Sequence, residues 1–266
     1  CPEALEEAIK DRINKGTKPK AIIPVHLYGM PCKMDEILAV ATKYEIPVLE
    51  DSAEALGSFY NKQSCGTFGE LGVLSFNGNK IITTSGGGAL VSRNKAIKDK
   101  TVFLATQARD AAPHYQHSEI GYNYRLSNIC AGIGRGQMEV LDKHVTLRRA
   151  MHLRYKGFFE QISGVSVLHE PDERFFSNHW LTAITIDSEV VGKSREDLRL
   201  ALDAENIESR PLWKPMHLQP VFANASFYGK GVSEKLFDDG LCLPSGSNLS
   251  EEEIKRIFTV LKTFFS

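Results

Sequence analysis

AIIPVHLYGMPCKMDEILAVATKYEIPVLEDS, residues 21–52, contains two apolar runs on either side of a helical pattern. The runs Ala21–Gly29 and Ile46–Ser52 show no polar alternation, which is typical of parallel strands covered on both faces. Between them, Lys33–Tyr44 repeats apolar residues at helical spacing. Strand, helix and strand in about thirty residues form a βαβ unit, so a parallel sheet is predicted, at least locally. Pro24 argues against a regular hydrogen-bond ladder at that point.

Outward from this unit, amphipathic helices are predicted towards both ends of the chain, with short strands between them. The helical patterns cover Pro2–Asn14, most of 125–162, Ser194–Asn206 and Ser250–Phe265, and the short strands lie within 66–76, 81–92 and 179–186. Ser250 and Glu253 form a capping box at the start of the last helix. We therefore predict an α/β fold with a large domain over 1–140 and a smaller α+β domain over 141–266.

The amino-acid composition argues against nucleic-acid-binding and membrane-spanning classes of protein. The 266 residues are 42% hydrophobic and 24% charged with a net charge of −1, so no long-range field favours nucleic acid or an anionic membrane. No apolar run has the length of a membrane span, and no signal-peptide pattern occurs. Five dispersed cysteines indicate a reducing compartment, and we expect a cytoplasmic protein. The chain begins at Cys1, directly on a helical pattern, so we expect an earlier segment to precede it.

A small set of polar residues follows strand ends, where open α/β sheets bind ligands. Asp51 ends one predicted strand, Ser75 ends another, and Lys80 follows an Asn-Gly-Asn turn before the glycines at 86–88. Taken singly, these are a helix N-cap or turn aspartate, a polar strand terminus and a solvated turn lysine. Together they supply the amine, the carboxylate and the hydroxyl that a pyridoxal phosphate site requires.

Longer motifs carry a resemblance over nearly the whole chain. They are EDSAEALGS at 50–58, CGTFGELGVLSFNGNKIITTSGGGAL at 65–90, GYNYRLSN at 121–128, ESRPLWKPMHLQP at 208–220 and LCLPSG at 241–246. In this order they resemble the DegT/DnrJ/EryC1/StrS family of pyridoxal-phosphate-dependent nucleotide-sugar aminotransferases. The resemblance implies the type I fold of pyridoxal-phosphate-dependent transferases, as in aspartate aminotransferase. The family's early Gly-Thr/Ser phosphate segment has no counterpart here.

The resemblance also implies residue roles. Lys80 corresponds to the lysine that binds the cofactor covalently, and Asp51 to the carboxylate on the pyridine nitrogen. Glu54 occupies a position beside cofactor and sugar, and Ser75 corresponds to a hydroxyl on the phosphate. Asn123 corresponds to an asparagine that reaches the neighbouring subunit's phosphate, which implies a homodimer with shared sites. The loop expected near the nucleotide sugar contains Arg210, Trp213 and His217, although Trp213 and Pro211 also suit a packing role.

The implied reaction moves an amino group, expected to come from glutamate, to the C4 or C3 keto group of a nucleotide-linked deoxysugar. Lipopolysaccharide or another surface glycan is the expected destination. A sugar dehydratase and a non-catalytic binding or regulatory protein of the same fold are the alternatives. Dehydrating relatives are expected to carry histidine at the position of Lys80. No metal-site, GxGxxG, GxSxG or P-loop pattern occurs. Apart from the loop role implied for His217, the histidines His26, His114, His117 and His217 are interpreted as ordinary polar or partly buried residues.

Overall fold

Helices and short strands alternate over residues 1–266, all of which the computed structural model describes. The helices are α1 (Pro2–Asn14), α2 (Met34–Lys43), α3 (Lys95–Ala105), α4 (Asn128–Glu139), α5 (Leu141–Phe159), α6 (Ser188–Val191), α7 (Arg195–Ala204), α8 (Val232–Asp239) and α9 (Glu251–Phe265). The strands are β1 (Leu49–Asp51), β2 (Phe59–Tyr60), β3 (Gln63–Ser64), β4 (Leu71–Ser75), β5 (Gly88–Val91), β6 (Val165–Val167), β7 (Phe175–Phe176), β8 (Thr182–Ile186), β9 (Arg210–Pro211) and β10 (Gly240–Leu243). None of the helices combines the length and the apolar character needed to cross a membrane.

Contacts group the chain into two units, which we name by their sheets. The parallel-sheet unit comprises Pro19–Lys143 and Arg174–Phe176, and the antiparallel-sheet unit comprises Cys1–Lys18, His144–Glu173 and Ser177–Ser266. Helix α1, which the predicted domain 1–140 includes, thus groups with the C-terminal residues. The Tyr228 hydroxyl donates a hydrogen bond to Asp11 of this helix across 217 residues of sequence. No local sequence pattern could indicate such a pairing.

The parallel-sheet unit contains the βαβ segment predicted for residues 21–52. Strand β1 pairs in parallel with β4, and β4 pairs with β5 in antiparallel fashion. Residues 22–26 run parallel along the other side of β1, where the Leu49 N–H donates to the Ile22 carbonyl at 2.9 Å. Pro24 has no N–H for this ladder, which leaves isolated bridges at Ile22 and Val25 rather than a regular strand. The locally parallel sheet is confirmed.

Helix α2 connects residues 22–26 to β1, and its bounds lie close to the predicted ones. Met34, Ile37 and Ala41 are buried at helical spacing, so one face of the helix packs inward as the pattern indicates. The predicted short strand within 81–92 is confined to β5, which starts at Gly88. Ile81 and Ile82 are buried without strand pairing, because the chain is still turning after residues 77–80.

Gly72 in β4 has no room for a side chain. A methyl group there would overlap the carbonyl of Gly66, which itself has a left-handed φ of +87°. We expect Gly72→Ala to lower the free energy of unfolding by about 2 kcal/mol, because the loop at Gly66 must move. Urea denaturation measures this change. Gly132→Ala in α4 is the control, since a methyl group there meets nothing within 4 Å. Equal stability of the Gly72→Ala and wild-type proteins would contradict this packing.

The antiparallel-sheet unit is built on the strand order β6-β8-β10-β9. Its core includes Tyr155 of α5, Leu198 of α7, Leu241 of β10 and Leu261 of α9. Helix α9 begins with the predicted capping box, in which the Ser250 N–H donates to the Glu253 carboxylate at 2.7 Å and the Glu253 N–H donates to the Ser250 hydroxyl at 3.3 Å. The helix and sheet content of this unit matches the predicted α+β class.

Two histidines stack face to face in the same unit. The rings of His152 and His179 lie 3.6 Å apart between centroids at an interplanar angle of 6°, and their exposed fractions are 3% and 5%. Burial lowers the pKa of His152 to about 4. Burial, together with the neighbouring His152, lowers the pKa of His179 to about 3. The adjacent Glu170 carboxylate opposes both shifts and Arg149 adds to them, so both rings are neutral at pH 7.

This pair makes the free energy of unfolding depend on pH in the mildly acidic range. The unfolded chain binds protons at the ordinary histidine pKa of about 6.5, whereas the folded chain binds them only near pH 4 and 3. We therefore expect stability to fall from pH 6.5 to pH 5, with a limiting slope of about 1.4 kcal/mol per pH unit for each histidine. Urea midpoints at several pH values measure the slope. His152→Phe should reduce the slope by about half, because His179 still titrates. His114→Phe, at an exposed position, should leave the slope unchanged. A wild-type stability that is constant over this range would exclude the effect.

Candidate active site

Asp51 and Ser75 lie at the carboxyl ends of two neighbouring parallel strands. Asp51 pairs with Val73, and Ser75 lies two residues beyond Val73 on β4. Because side chains alternate along a strand, Asp51 and Ser75 project from the same face of the sheet. Asp51 accepts the Ala53 N–H on Oδ1 at 3.1 Å, and its Oδ2 makes no hydrogen bond within the protein. A carboxylate and a hydroxyl therefore stand side by side at this edge.

Lys80 is not a solvated turn lysine. The turn that precedes it closes with a hydrogen bond of 3.0 Å from the Lys80 N–H to the Asn77 carbonyl. The Lys80 side chain is only 12% exposed, and its Nζ lies 3.5 Å from Oε1 of Glu54, whose side chain is 10% exposed. The structure thus brings two predicted site residues, 26 positions apart, into one ion pair.

Glu54 is held from its other side by a backbone group. Its Oε2 accepts the Tyr28 N–H at 2.7 Å. Tyr28 is buried and has a left-handed φ of +58° in the short helical turn Leu27–Gly29. One carboxylate oxygen of Glu54 is therefore fixed to the backbone while the other faces Lys80. The sequence shows Tyr28 only as part of the HLYG motif and gives no sign of its backbone conformation.

Glu50 and His26 form a buried network beside these groups. Both side chains are fully buried, and His26 Nε2 lies 3.1 Å from Oε2 of Glu50. The same carboxylate accepts backbone N–H groups from Gly66, Phe68 and Gly69 at 2.6–2.7 Å. Burial raises the pKa of Glu50, but the hydrogen bonds from His26 and the amides outweigh burial and leave its pKa lowered. Glu50 is thus ionised.

His26 uses both of its ring nitrogens. Nδ1 accepts the Cys32 N–H at 2.9 Å, which leaves Nε2 as the protonated nitrogen that donates to Glu50. The backbone N–H of His26 donates to the Asp51 carbonyl at 3.0 Å. The interpretation of His26 as an ordinary polar or partly buried residue gave no indication of this network, although its position ahead of the acidic strand end was visible in the sequence.

The glycines at 86–88 surround a tight passage of the backbone. Gly87 has a left-handed φ of +114°, and a methyl group there would overlap the Leu126 side chain. The Thr83 N–H just before them donates to Oε1 of Gln137 in α4 at 3.2 Å. A glycine is therefore needed at 87 for both conformation and space.

The other predicted site residues take no part in the contacts described above. Asn123 is exposed in the parallel-sheet unit, where it bridges to Thr106. In the antiparallel-sheet unit, Arg210 pairs with Glu208, and Trp213 packs edge-on against Trp180. His217 stacks on Phe227 with ring centroids 3.6 Å apart, and its Nε2 lies 2.7 Å from Oε1 of Glu234. Their roles towards cofactor and substrate stay predictions.

The groups gathered at the strand ends fit pyridoxal phosphate. An amine is held in a nearly buried position, a carboxylate has one oxygen without a partner, and a hydroxyl accepts only a long backbone contact of 3.4 Å from Asn77. These are the donors needed for a covalent bond to the cofactor aldehyde, for its ring nitrogen and for its phosphate. The chemistry of the donor set therefore agrees with the cofactor that the sequence implies.

A family model of the DegT/DnrJ/EryC1/StrS aminotransferases matches residues 1–262. The chain belongs to this family. It is 52% identical over 268 residues to the putative pyridoxal phosphate-dependent aminotransferase EpsN of Bacillus subtilis, with 99% of this chain and 68% of EpsN covered. It is 36% identical over 265 residues to GDP-perosamine synthase of Escherichia coli O157:H7, with 99% of this chain and 71% of the synthase covered.

The crystal structure of a DegT/DnrJ/EryC1/StrS aminotransferase from Brucella abortus superposes on this chain with a TM-score of 0.89 at 30% identity. The superposition covers 100% of this chain and 70% of the Brucella protein. The resemblance drawn from the motifs and the predicted α/β type I fold are thereby confirmed. The assignment as an aminotransferase is confirmed as well.

Proposed function

We propose that the protein transfers an amino group to the C4 or C3 keto group of a nucleotide-linked deoxysugar, with glutamate as the amino donor and pyridoxal phosphate bound covalently by Lys80. The observation that carries the proposal is the nearly buried ion pair between Lys80 Nζ and Glu54 Oε1, 3.5 Å apart. An amine removed from water and held opposite a carboxylate is suited to covalent chemistry and proton transfer. A solvated surface lysine is not held in this way.

Each residue at the strand ends has a definite part in this proposal. Bound pyridoxal phosphate supplies an electron sink that lets a C–H bond beside nitrogen break. Asp51 keeps the ring nitrogen protonated through its carboxylate, and Ser75 donates its hydroxyl to the phosphate. Lys80 carries the cofactor and then moves the proton at the reacting carbon, while Glu54 orients the amine.

The remaining residues serve the second subunit and the sugar nucleotide. Asn123, exposed in the parallel-sheet unit, reaches the phosphate of a partner subunit, which makes the active unit a homodimer. Arg210 of β9 contacts the nucleotide sugar, together with Trp213 and His217, which follow that strand. The product enters a surface glycan such as lipopolysaccharide, and the protein works in the cytoplasm. These assignments rest on the family motifs.

The test is incubation of the full-length protein with pyridoxal phosphate, glutamate and a panel of nucleotide-linked 4-keto and 3-keto deoxysugars. We expect one amino sugar nucleotide and one 2-oxoglutarate to form per turnover, as followed by mass spectrometry. Release of water from the sugar without nitrogen transfer would identify a dehydratase instead. A protein that takes up the cofactor and aminates no sugar nucleotide would contradict the proposed substrate class.

A further inference from the structure

The buried pair of His26 and Glu50 has no part in the roles proposed above. An ionised carboxylate without exposure is costly unless several donors surround it, and here four donors do so. The hydrogen bonds stabilise the charge but do not explain why the fold retains it.

The location of the pair relates it to the predicted site. Glu50 is the neighbour of Asp51 on β1, and the His26 N–H donates to the Asp51 carbonyl at 3.0 Å. Side chains alternate along a strand, so Glu50 projects from the face opposite to Asp51. The imidazole of His26 reaches Glu50 on that face while its backbone holds the strand end. His26 is thereby fixed to β1 at two points.

The loop that leaves His26 carries the amide that orients Glu54. Tyr28, two residues after His26, has a φ of +58°, a left-handed conformation that costs a residue other than glycine about 1 kcal/mol. Such a conformation persists only where its surroundings hold it. The Cys32 N–H donates to Nδ1 of His26 at 2.9 Å and closes the loop around Tyr28. The imidazole is thus the common anchor of both ends of this loop.

We propose that His26 and Glu50 are positioning residues that fix the Tyr28 N–H and, through it, aim the Glu54 carboxylate at the Lys80 amine. The inference rests on the proposed function insofar as Lys80 must capture the cofactor. The connection runs from the buried imidazole through the closed loop to the Tyr28 N–H, then 2.7 Å to Oε2 of Glu54 and 3.5 Å from Oε1 to Lys80. Without the pair, the loop around Tyr28 relaxes and the Glu54 carboxylate is no longer held towards the Lys80 amine.

A double-mutant cycle on cofactor capture tests this connection. The rate constant for capture of added pyridoxal phosphate by Lys80 is measured from visible absorbance in the cofactor-free, full-length protein. We expect His26→Ala to reduce it about 30-fold, because a misplacement near 1 Å costs up to about 100-fold. His26→Gln, whose amide can still donate to Glu50, should stay within about 5-fold of wild type. In a Glu54→Ala background, His26→Ala should have no further effect.

A second measurement needs no cofactor. Hydrogen exchange of the Tyr28 amide, followed by NMR in the cofactor-free protein, should accelerate at least about 10-fold in His26→Ala, because the hydrogen bond to Glu54 opens more often. Tyr155→Phe is the matched control, since it removes a buried hydrogen bond of 2.8 Å to the Pro244 carbonyl in the other unit. This control should change neither the Tyr28 exchange nor the capture rate.

The outcomes separate the inference from the proposed function. Additive effects of His26→Ala and Glu54→Ala, or an unchanged Tyr28 amide in His26→Ala, would overturn the positioning role alone. A wild-type protein that captures no pyridoxal phosphate would overturn the proposed function and the inference with it. A loss of capture in His26→Ala that disappears in the Glu54→Ala background supports the positioning role even if the sugar substrate differs from the one proposed.

Discussion

Lys80→Ala should abolish amino transfer, with a loss of about 10⁴-fold or more in kcat, because it removes both covalent capture and the group that moves the proton. The visible absorbance of lysine-bound cofactor should vanish as well. The environment of this residue supports the expectation, since its side chain is 12% exposed and its Nζ lies 3.5 Å from Oε1 of Glu54. Steady-state kinetics with glutamate and a keto-sugar nucleotide, together with the absorption spectrum, measure both effects.

Two controls belong with this substitution. Lys80→Arg keeps a positive charge beside Glu54 but cannot form the covalent bond, so it should be as inactive as Lys80→Ala while retaining stability. Lys95→Ala removes a lysine whose side chain is 85% exposed and should leave kcat unchanged. Substantial amino transfer by Lys80→Ala would exclude the proposed mechanism.

Asp51→Asn should lower kcat for the half-reaction with glutamate by about 10²–10³-fold, the range found when one preorganised electrostatic group is removed. Asparagine keeps the shape of the side chain and can still accept the Ala53 N–H, which Oδ1 of Asp51 accepts at 3.1 Å. It cannot keep a ring nitrogen protonated. Rapid-mixing absorbance measurements with saturating glutamate report the half-reaction directly.

The control for this variant is Asp203→Asn at an exposed position at the end of α7, which should leave the half-reaction unchanged. The urea midpoint of Asp51→Asn should stay close to that of the wild type, because its hydrogen bond to Ala53 is retained. If Asp51→Asn reacts with glutamate within about 2-fold of the wild-type rate, the carboxylate has no role at the cofactor ring.

Local patterns predicted those elements whose formation depends on neighbouring residues. Helix α1 spans the predicted Pro2–Asn14, and α9 starts at the predicted capping box of Ser250 and Glu253. The βαβ segment also forms as predicted, since apolar runs and helical periodicity are properties of short stretches. The strand predicted within 81–92 begins only at Gly88, because Ile81 and Ile82 are buried without strand pairing.

The network behind the site could not be predicted in the same way. His26 and Glu50 are 24 residues apart, and neither residue type by itself indicates a buried pair. Tyr28 looks like an aromatic residue of a strand end, yet its backbone is left-handed and its N–H orients Glu54. These features arise when the segment 22–26, strand β1 and the loop at Gly66 come together. These contacts between distant segments cannot be predicted from residue type or local spacing.

The sequence by itself determined the family, the parallel βαβ segment and the candidacy of Lys80, Asp51 and Ser75, because motif order and strand ends can be recognised along the chain. Only the tertiary structure decided that Lys80 is a nearly buried lysine paired with Glu54 and that an ionised Glu50 lies beneath the strand end. Burial and hydrogen-bond partners are set by segments distant in sequence. The environment that would give a lysine its chemistry is therefore a property of the folded chain.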